Sequence, residues 1–207
     1  MLDTLELGHA NAVLDAELVQ GDIADHALVT SLCRSRAIDQ VVHFAAYKSV
    51  GESMRDPAKY WTNNVAGTAA LAQAAVDAGI RQFVFSSSCS VYGNPPVVPV
   101  DEQAPIAPES VYAETKAISE RILHWYGETH GLRSVCLRYF NAAGASFDAR
   151  IGEDWQYAAN LIPLVMKAAL RQGPPIQVMG TDYPTPDGTG IRDYIPVSYT
   201  HLRAHET

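Results

Sequence analysis

The chain has 207 residues, 47% of them apolar, with 23 acidic against 15 basic residues and a formal charge of −8 at neutral pH. That balance, with no basic run, argues against nucleic acid as a partner, and no apolar stretch reaches the roughly 18 residues that a membrane-spanning helix needs. Cys33, Cys89 and Cys136 are scattered and odd in number, the pattern of reduced thiols in a cytoplasmic protein rather than a disulfide frame or a zinc site.

Residues 1–11 carry little pattern, and no basic segment leads into an apolar one, so no signal peptide is expected. Residues 17–20 predict a short strand stopped by Gly21-Asp22, and residues 27–37 a helix. The run QVVHFAA at 40–46 is nearly all apolar, as in a strand buried on both faces. Pro57 suits a helix start, and an Ala-rich pattern carries that helix to Ala78, with Gly79 as its stop. Residues 82–86 predict another buried strand, followed by a long loop rich in Gly and Pro. Ser110 is a candidate N-cap and Gly131 a candidate stop for the next helix. A strand at 133–140, a helix at 158–171, an extended stretch at 176–179, a loop at 180–190 and a last strand at 191–195 complete the reading.

Strands alternating with helices predict an α/β fold with a parallel sheet covered on both faces. In such sheets ligands sit beyond the carboxyl ends of the strands. Asp22, the run Ser86-Ser87-Ser88 and Phe140-Asn141 fall at those ends. Tyr112 and Lys116 stand four apart on the helix after Ser110, a spacing that puts both on one face. An ammonium beside a phenol favours the phenolate, which makes a base out of a group whose reference pKa is near ~10. A nearby serine could donate to the same oxygen. The spacing alone is weak, since ten tyrosines give roughly half a Tyr-x-x-x-Lys match by chance. At about 100° per residue, however, Val111, Ile118, Ile122 and Trp125 form one apolar stripe, and Tyr112 and Lys116 lie well away from its centre. They are thus expected off the main packing face. His201 and His205 have metal-ligand spacing without helix context or a third ligand, so no metal is expected.

With these residues assembled, the chain resembles the extended short-chain dehydrogenase/reductases, and within them the UDP-glucose 4-epimerase family. The resemblance spans about residues 17–195. It rests on Gly21-Asp22-Ile23, the stretch from His43 through Ser53, Asn63-Asn64-Val65-Ala66-Gly67-Thr68, FSSSCSVYG from Phe85, the Tyr112/Lys116 pair, LRYFNAAGA from Leu137 and GTDYPTPDGTGIRDYI from Gly180. It implies a Rossmann-like doubly wound sheet, here truncated, with the start of a smaller C-terminal substrate-binding lobe. It implies NAD as cofactor and a UDP-hexose substrate inverted at C4 through a 4-keto sugar. Ser88, Tyr112 and Lys116 would be catalytic. Asp22, Ile23, Phe44, Ala45, Ala46, Lys48, Asn63 and Phe140 would join them in holding NAD. Asn141, Asn160, Leu161, Val178, Met179 and Arg192 would contact the sugar nucleotide. The resemblance further implies a homodimer for the full-length protein. Ser87 and Cys89 stand beside Ser88 where a sugar dehydratase carries an acidic pair. A UDP-glucuronate epimerase or decarboxylase, and a non-catalytic remnant of the NAD fold, stay open as alternatives.

Two departures from the family pattern shape the expected domains. No Gly-x-x-Gly-x-x-Gly turn precedes Asp22, so the family's first two strands, with their phosphate-binding turn and ribose-binding acid, are expected to be absent from an NAD-binding domain at 1–157. The substrate region is expected to start at 158–195, and residues 196–207 match no family pattern and read as a non-native tail. The strand at Val41 is then expected to present a bare edge, and the chain by itself to bind NAD poorly and be inactive.

Overall fold

The computed structural model describes residues 1–197. They divide into two compact units, one of Met1–Tyr139 and one from Phe140 onward, so the division falls earlier than the boundary expected after residue 157.

The first unit carries two parallel sheets. Strands β1 (Leu2–Asp3) and β2 (Val19–Gln20) form one; β3 (Gln40–His43), β4 (Gln82–Ser88) and β5 (Arg133–Tyr139) form the other, in that order. Residues 1–11 carry little pattern because a two-residue strand is too short to show alternation. Yet β1 pairs with β2 and ends on an acid, Asp3. This corrects the expectation that no acid-bearing strand lies beside residues 17–20. The bare edge is present as expected: among the described residues β3 pairs only with β4, and Val42 and Phe44 are exposed.

Helix α1 (His26–Ser35) is capped by Asp25, whose carboxylate accepts from the Leu28 amide. A short helix α2 (Val50–Arg55) follows β3, and Asp56 then caps α3 (Pro57–Tyr60), with Pro57 at its first position. The predicted helix at 57–78 is present but not uniform. Residues Trp61–Ala66 are π-helical between α3 and α4 (Gly67–Asp77). The Asn64 side chain anchors that segment. It accepts from the Tyr47 amide, donates to the Tyr47 carbonyl, and donates to Thr115 Oγ1, at 2.9, 2.9 and 3.3 Å.

Helix α5 (Val111–His130) starts and stops where the sequence predicts. Ser110 accepts from the Ala113 amide, and Gly131, at φ +68°, closes the helix with its own amide on Gly127 O and that of Leu132 on Tyr126 O. Its packing face is not the predicted one. Ala113, Thr115, Lys116, Ala117, Ser119 and Leu123 are buried, whereas Trp125 is 60% exposed. Small side chains let the helix approach the sheet closely, and that outweighs the larger apolar surface on its other side.

Phe83 and Phe85 of β4 form the core with Leu71, Ala74 and Ala75 of α4, Leu123 of α5, and Val29 and Cys33 of α1. The opposite face of this sheet carries Val42, Val84 and Val135 in register, with Val42 and Val135 exposed. The sheet is therefore covered on one face, not two as expected. His43 is buried on the covered face, donates from Nε2 to Thr68 Oγ1 at 2.9 Å, and is pushed down to about 3 by desolvation and then by the Lys116 charge.

In the second unit β6 (Asn141–Ala143) pairs in parallel with β7 (Tyr194–Pro196), and α6 (Leu161–Ala169) carries Pro163 in its first turn, where it is tolerated. The helix is shorter than predicted, the last strand lies slightly later, and residues 176–179 are not a strand. The expectations for the His201/His205 pair and for the tail beyond Val197 lie outside the described residues.

Candidate active site

Helix α5 runs alongside the end of β4 and brings three of the predicted residues together. The Lys116 amine donates to the Ser86 carbonyl at 2.7 Å and lies 4.7 Å from the Phe85 ring centre and 5.9 Å from that of Tyr112. The Tyr112 phenol stands beside Ser88, near enough for that hydroxyl to favour its ionised form. Ser88 accepts from the Ser90 amide and hydroxyl at 3.2 and 2.9 Å, which holds it at the turn closing β4. The first turn of α5 is fixed from below by buried Ser53, whose Oγ accepts from the Tyr112 amide at 3.1 Å.

The electrostatics differ from the expected tuning. Burial raises the Tyr112 phenol above its ordinary value; the Ser88 hydroxyl pulls it down, and the neighbouring Cys89 raises it further. Desolvation lowers Lys116 to about 8. In this arrangement the ammonium spends its hydrogen bond on Ser86 rather than on the phenol, so burial wins.

Lys116 has a measurable signature. Its folded value near 8 lies below the 10.5 of an exposed lysine, so between those values the unfolded chain holds the extra proton. Lys116 therefore contributes stability that grows as pH climbs from about 8 toward 10. The Cys33 and Cys136 thiols, raised by desolvation, act in the opposite sense over the same interval, and so does the Tyr112 phenol at higher pH. The Lys116 share is read as the difference between the parent and Lys116→Met in urea unfolding across that interval: the parent is expected to gain stability relative to the variant as pH rises. Parallel pH profiles of the two refute the assignment to Lys116.

The expected cofactor residues collect elsewhere in the first unit. Asp22, Ile23, Phe44, Ala45, Ala46 and Asn63 line one cavity of about 800 Å³ between the two sheets. Lys48 is exposed and does not line it. Asp3, which the sequence reading missed, does line it. Its signal was a lone acid, and only the pairing of β1 with β2 shows that it ends a strand. The donor set fits the two ends of a dinucleotide: Asp3 and Asp22 offer carboxylate acceptors, while Ile23 and Phe44 offer apolar walls.

Phe140, Asn141, Asn160, Leu161, Val178, Met179 and Arg192 all belong to the second unit. There the Asn141 amide donates to Asp193 O at 2.8 Å, and that of Asn160 to Glu153 at 2.6 Å. Arg192 donates to its neighbour's carbonyl, Ile191 O, at 2.9 Å, and Val178 and Met179 are exposed. Leu161 opens α6. Among the described residues no cluster of potential metal ligands occurs.

A parallel sheet whose serine-bearing strand end faces a Tyr-x-x-x-Lys helix defines the short-chain dehydrogenase/reductase class. The comparisons with known proteins narrow this. The chain belongs to the NAD dependent epimerase/dehydratase family, whose model matches residues 2–198. It is 45% identical over 197 residues to the UDP-glucose 4-epimerase of Halalkalibacterium halodurans, covering 95% of this chain and 59% of that protein. It is 47% identical over 205 residues to that of Rhizobium meliloti, covering 98% and 62%. The crystal structure of UDP-glucose 4-epimerase from Brucella ovis in complex with NAD superposes with a TM-score of 0.94 at 44% identity, covering 99% of this chain and 63% of that one. The chain thus spans about 60% of the length of the curated relatives it matches.

Proposed function

We propose that this protein interconverts UDP-glucose and UDP-galactose by NAD-dependent inversion at C4. The observation that carries the reading is the meeting of Tyr112 and Lys116 at the end of β4 that bears Ser88, with the Lys116 amine on the Ser86 carbonyl and 5.9 Å from the Tyr112 ring centre. It stands together with identities of 41–47% to proteins that carry out the reaction their name states. Ser88, Tyr112 and Lys116 are the catalytic set, and Asp22, Ile23, Phe44, Ala45, Ala46, Asn63 and Phe140 would complete the hold on NAD. When bound, NAD supplies the acceptor and donor of the C4 hydride. Tyr112 takes the proton of the sugar 4-hydroxyl as C4 is oxidised to the ketone. It returns that proton to the 4-oxygen when the opposite configuration forms. The Ser88 hydroxyl bonds the sugar 4-oxygen and relays the proton. Lys116, beside the Tyr112 ring, would hold the nicotinamide ribose. Asn141, Asn160, Leu161, Val178 and Met179 contact the sugar nucleotide, and Arg192 offers a planar fork to its pyrophosphate. The protein acts in the cytoplasm as a homodimer.

A chimera tests the reading: residues 2–198 of this chain replace the matched segment of the Halalkalibacterium halodurans enzyme. Turnover of UDP-galactose is expected, and a folded, NAD-loaded chimera without turnover overturns the proposal.

A further inference from the structure

Helix α5 meets the end of β4 at three points, each one turn apart. Tyr112, Lys116 and Glu120 follow one another at i, i+4 and i+8 and share a face. The phenol stands beside Ser88, the amine donates to the Ser86 carbonyl, and the Glu120 carboxylate accepts from the Ser87 hydroxyl. The chemistry proposed above uses the first two points and leaves the third without a role. Yet the third is the most heavily braced. Arg138 of β5 binds Glu120 through a fork, Nε to Oε1 at 3.0 Å and Nη2 to Oε2 at 2.7 Å. Its remaining nitrogen, Nη1, donates to Tyr92 OH at 2.7 Å, and the guanidinium lies 4.9 Å from the Tyr92 ring centre. The Arg138 and Glu120 side chains are 21% and 13% exposed, and Ser87 is buried.

We propose that Glu120, held by Arg138, is a positioning residue that sets Ser88 against Tyr112 by fixing Ser87. Ser87 and Arg138 are cross-strand partners, as are Ser88 and Tyr139, and β4 ends at Ser88. Beyond it the chain turns at Cys89–Tyr92, so the ladder stops holding the backbone where Ser88 must be placed. The Ser87–Glu120 bond continues that hold sideways onto α5. A carboxylate acceptor makes it a charge-assisted bond, stronger than a neutral one. Arg138 then ties the same carboxylate to β5 and to Tyr92, the last residue of the turn. Four elements are locked around one oxygen pair directly behind the Ser88–Tyr112 contact. Catalysis enters only through Ser88, so the role rests on the reading of Ser88 and Tyr112 as the proton-transfer pair.

The test places 3,5-difluorotyrosine at position 112 of the full chain and follows its phenol by fluorine NMR titration. The Ser88 hydroxyl favours the ionised phenol, so releasing Ser88 makes ionisation harder. Ser87→Ala, which leaves the Glu120–Arg138 pair intact, and Glu120→Gln are each expected to weaken the phenol's ionisation about tenfold, one pKa unit. Ser87→Thr, which keeps the hydroxyl, is expected to restore it. If Glu120→Gln fails to fold, Ser87→Ala decides. An unchanged titration in Ser87→Ala overturns the proposal, even where thermal stability falls, because the brace would then be structural only. The titration needs neither NAD nor a sugar nucleotide. A chimera without turnover therefore sinks the functional reading and leaves the brace on the phenol to be read by the titration, while an unshifted phenol sinks this proposal alone.

Discussion

Tyr112→Phe in the NAD-loaded chimera is expected to lower kcat by about 10²–10⁴-fold, the usual worth of a positioned acid–base group. The KM for UDP-galactose is expected to change little, because the substitution removes one oxygen that acts in the transition state and leaves the ring in place. The ring is anchored independently of that oxygen: the Tyr112 amide is bonded to Ser53, and the Tyr112 carbonyl accepts from Thr115 Oγ1. Ser88 keeps its bonds to Ser90, so it is not left as an orphan by the change. Steady-state kinetics with thermal melts in parallel separate lost chemistry from lost structure. A variant that retains its melting point and loses less than about tenfold in kcat would remove Tyr112 from the base role.

What could be read from the sequence at this site was side-chain chemistry; what could not was the choice of partner. Ser110 and Gly131 bracket α5 because a capping hydroxyl and a left-handed residue are local requirements, visible in a few residues. The run at 40–46 gave β3 for the same reason. The face of α5 was misread because hydrophobicity marks what a helix can bury, while the packing distance is set by small residues such as Ala113, Ala117 and Ser119. The π-helical segment was invisible because it depends on Asn64 reaching Tyr47 and Thr115, partners 17 and 51 residues away. Burial of both faces was expected from the alternation of elements, but which helix covers which face is a property of the assembled fold, and Val42, Val84 and Val135 lie on the uncovered side. The expected lowering of the phenol failed likewise. Proximity of Lys116 was predicted correctly, but its hydrogen bond goes to a main-chain carbonyl, and the burial that the same packing imposes raises the phenol.

That coupling of core and site gives the second large effect. Phe85→Ala is expected to destabilise the chain by about 3–5 kcal/mol, the cost of emptying a fully packed aromatic position. Phe85 is 2% exposed, stands in the main core cluster, and stacks against His43 at 5.4 Å. It also carries the Lys116 amine over its ring, so the loss includes a cation–π contact in a desolvated setting, worth up to about 2 kcal/mol. Against the ~5–15 kcal/mol by which domains of this kind are stable, the variant sits near the edge of folding. Phe85→Leu keeps most of the volume and is expected to cost distinctly less. The two variants also separate packing from electrostatics. With alanine, water can reach the amine, desolvation weakens, and Lys116 is expected to climb from about 8 back toward 10.5. The Lys116 share of stability between pH 8 and 10 should then shrink in Phe85→Ala and persist in Phe85→Leu. Urea unfolding at several pH values, with and without Lys116→Met, reads both effects. A loss of less than about 1 kcal/mol in Phe85→Ala would show that the ring is not part of a close-packed core, and an undiminished Lys116 share would show that Phe85 does not keep water from Lys116.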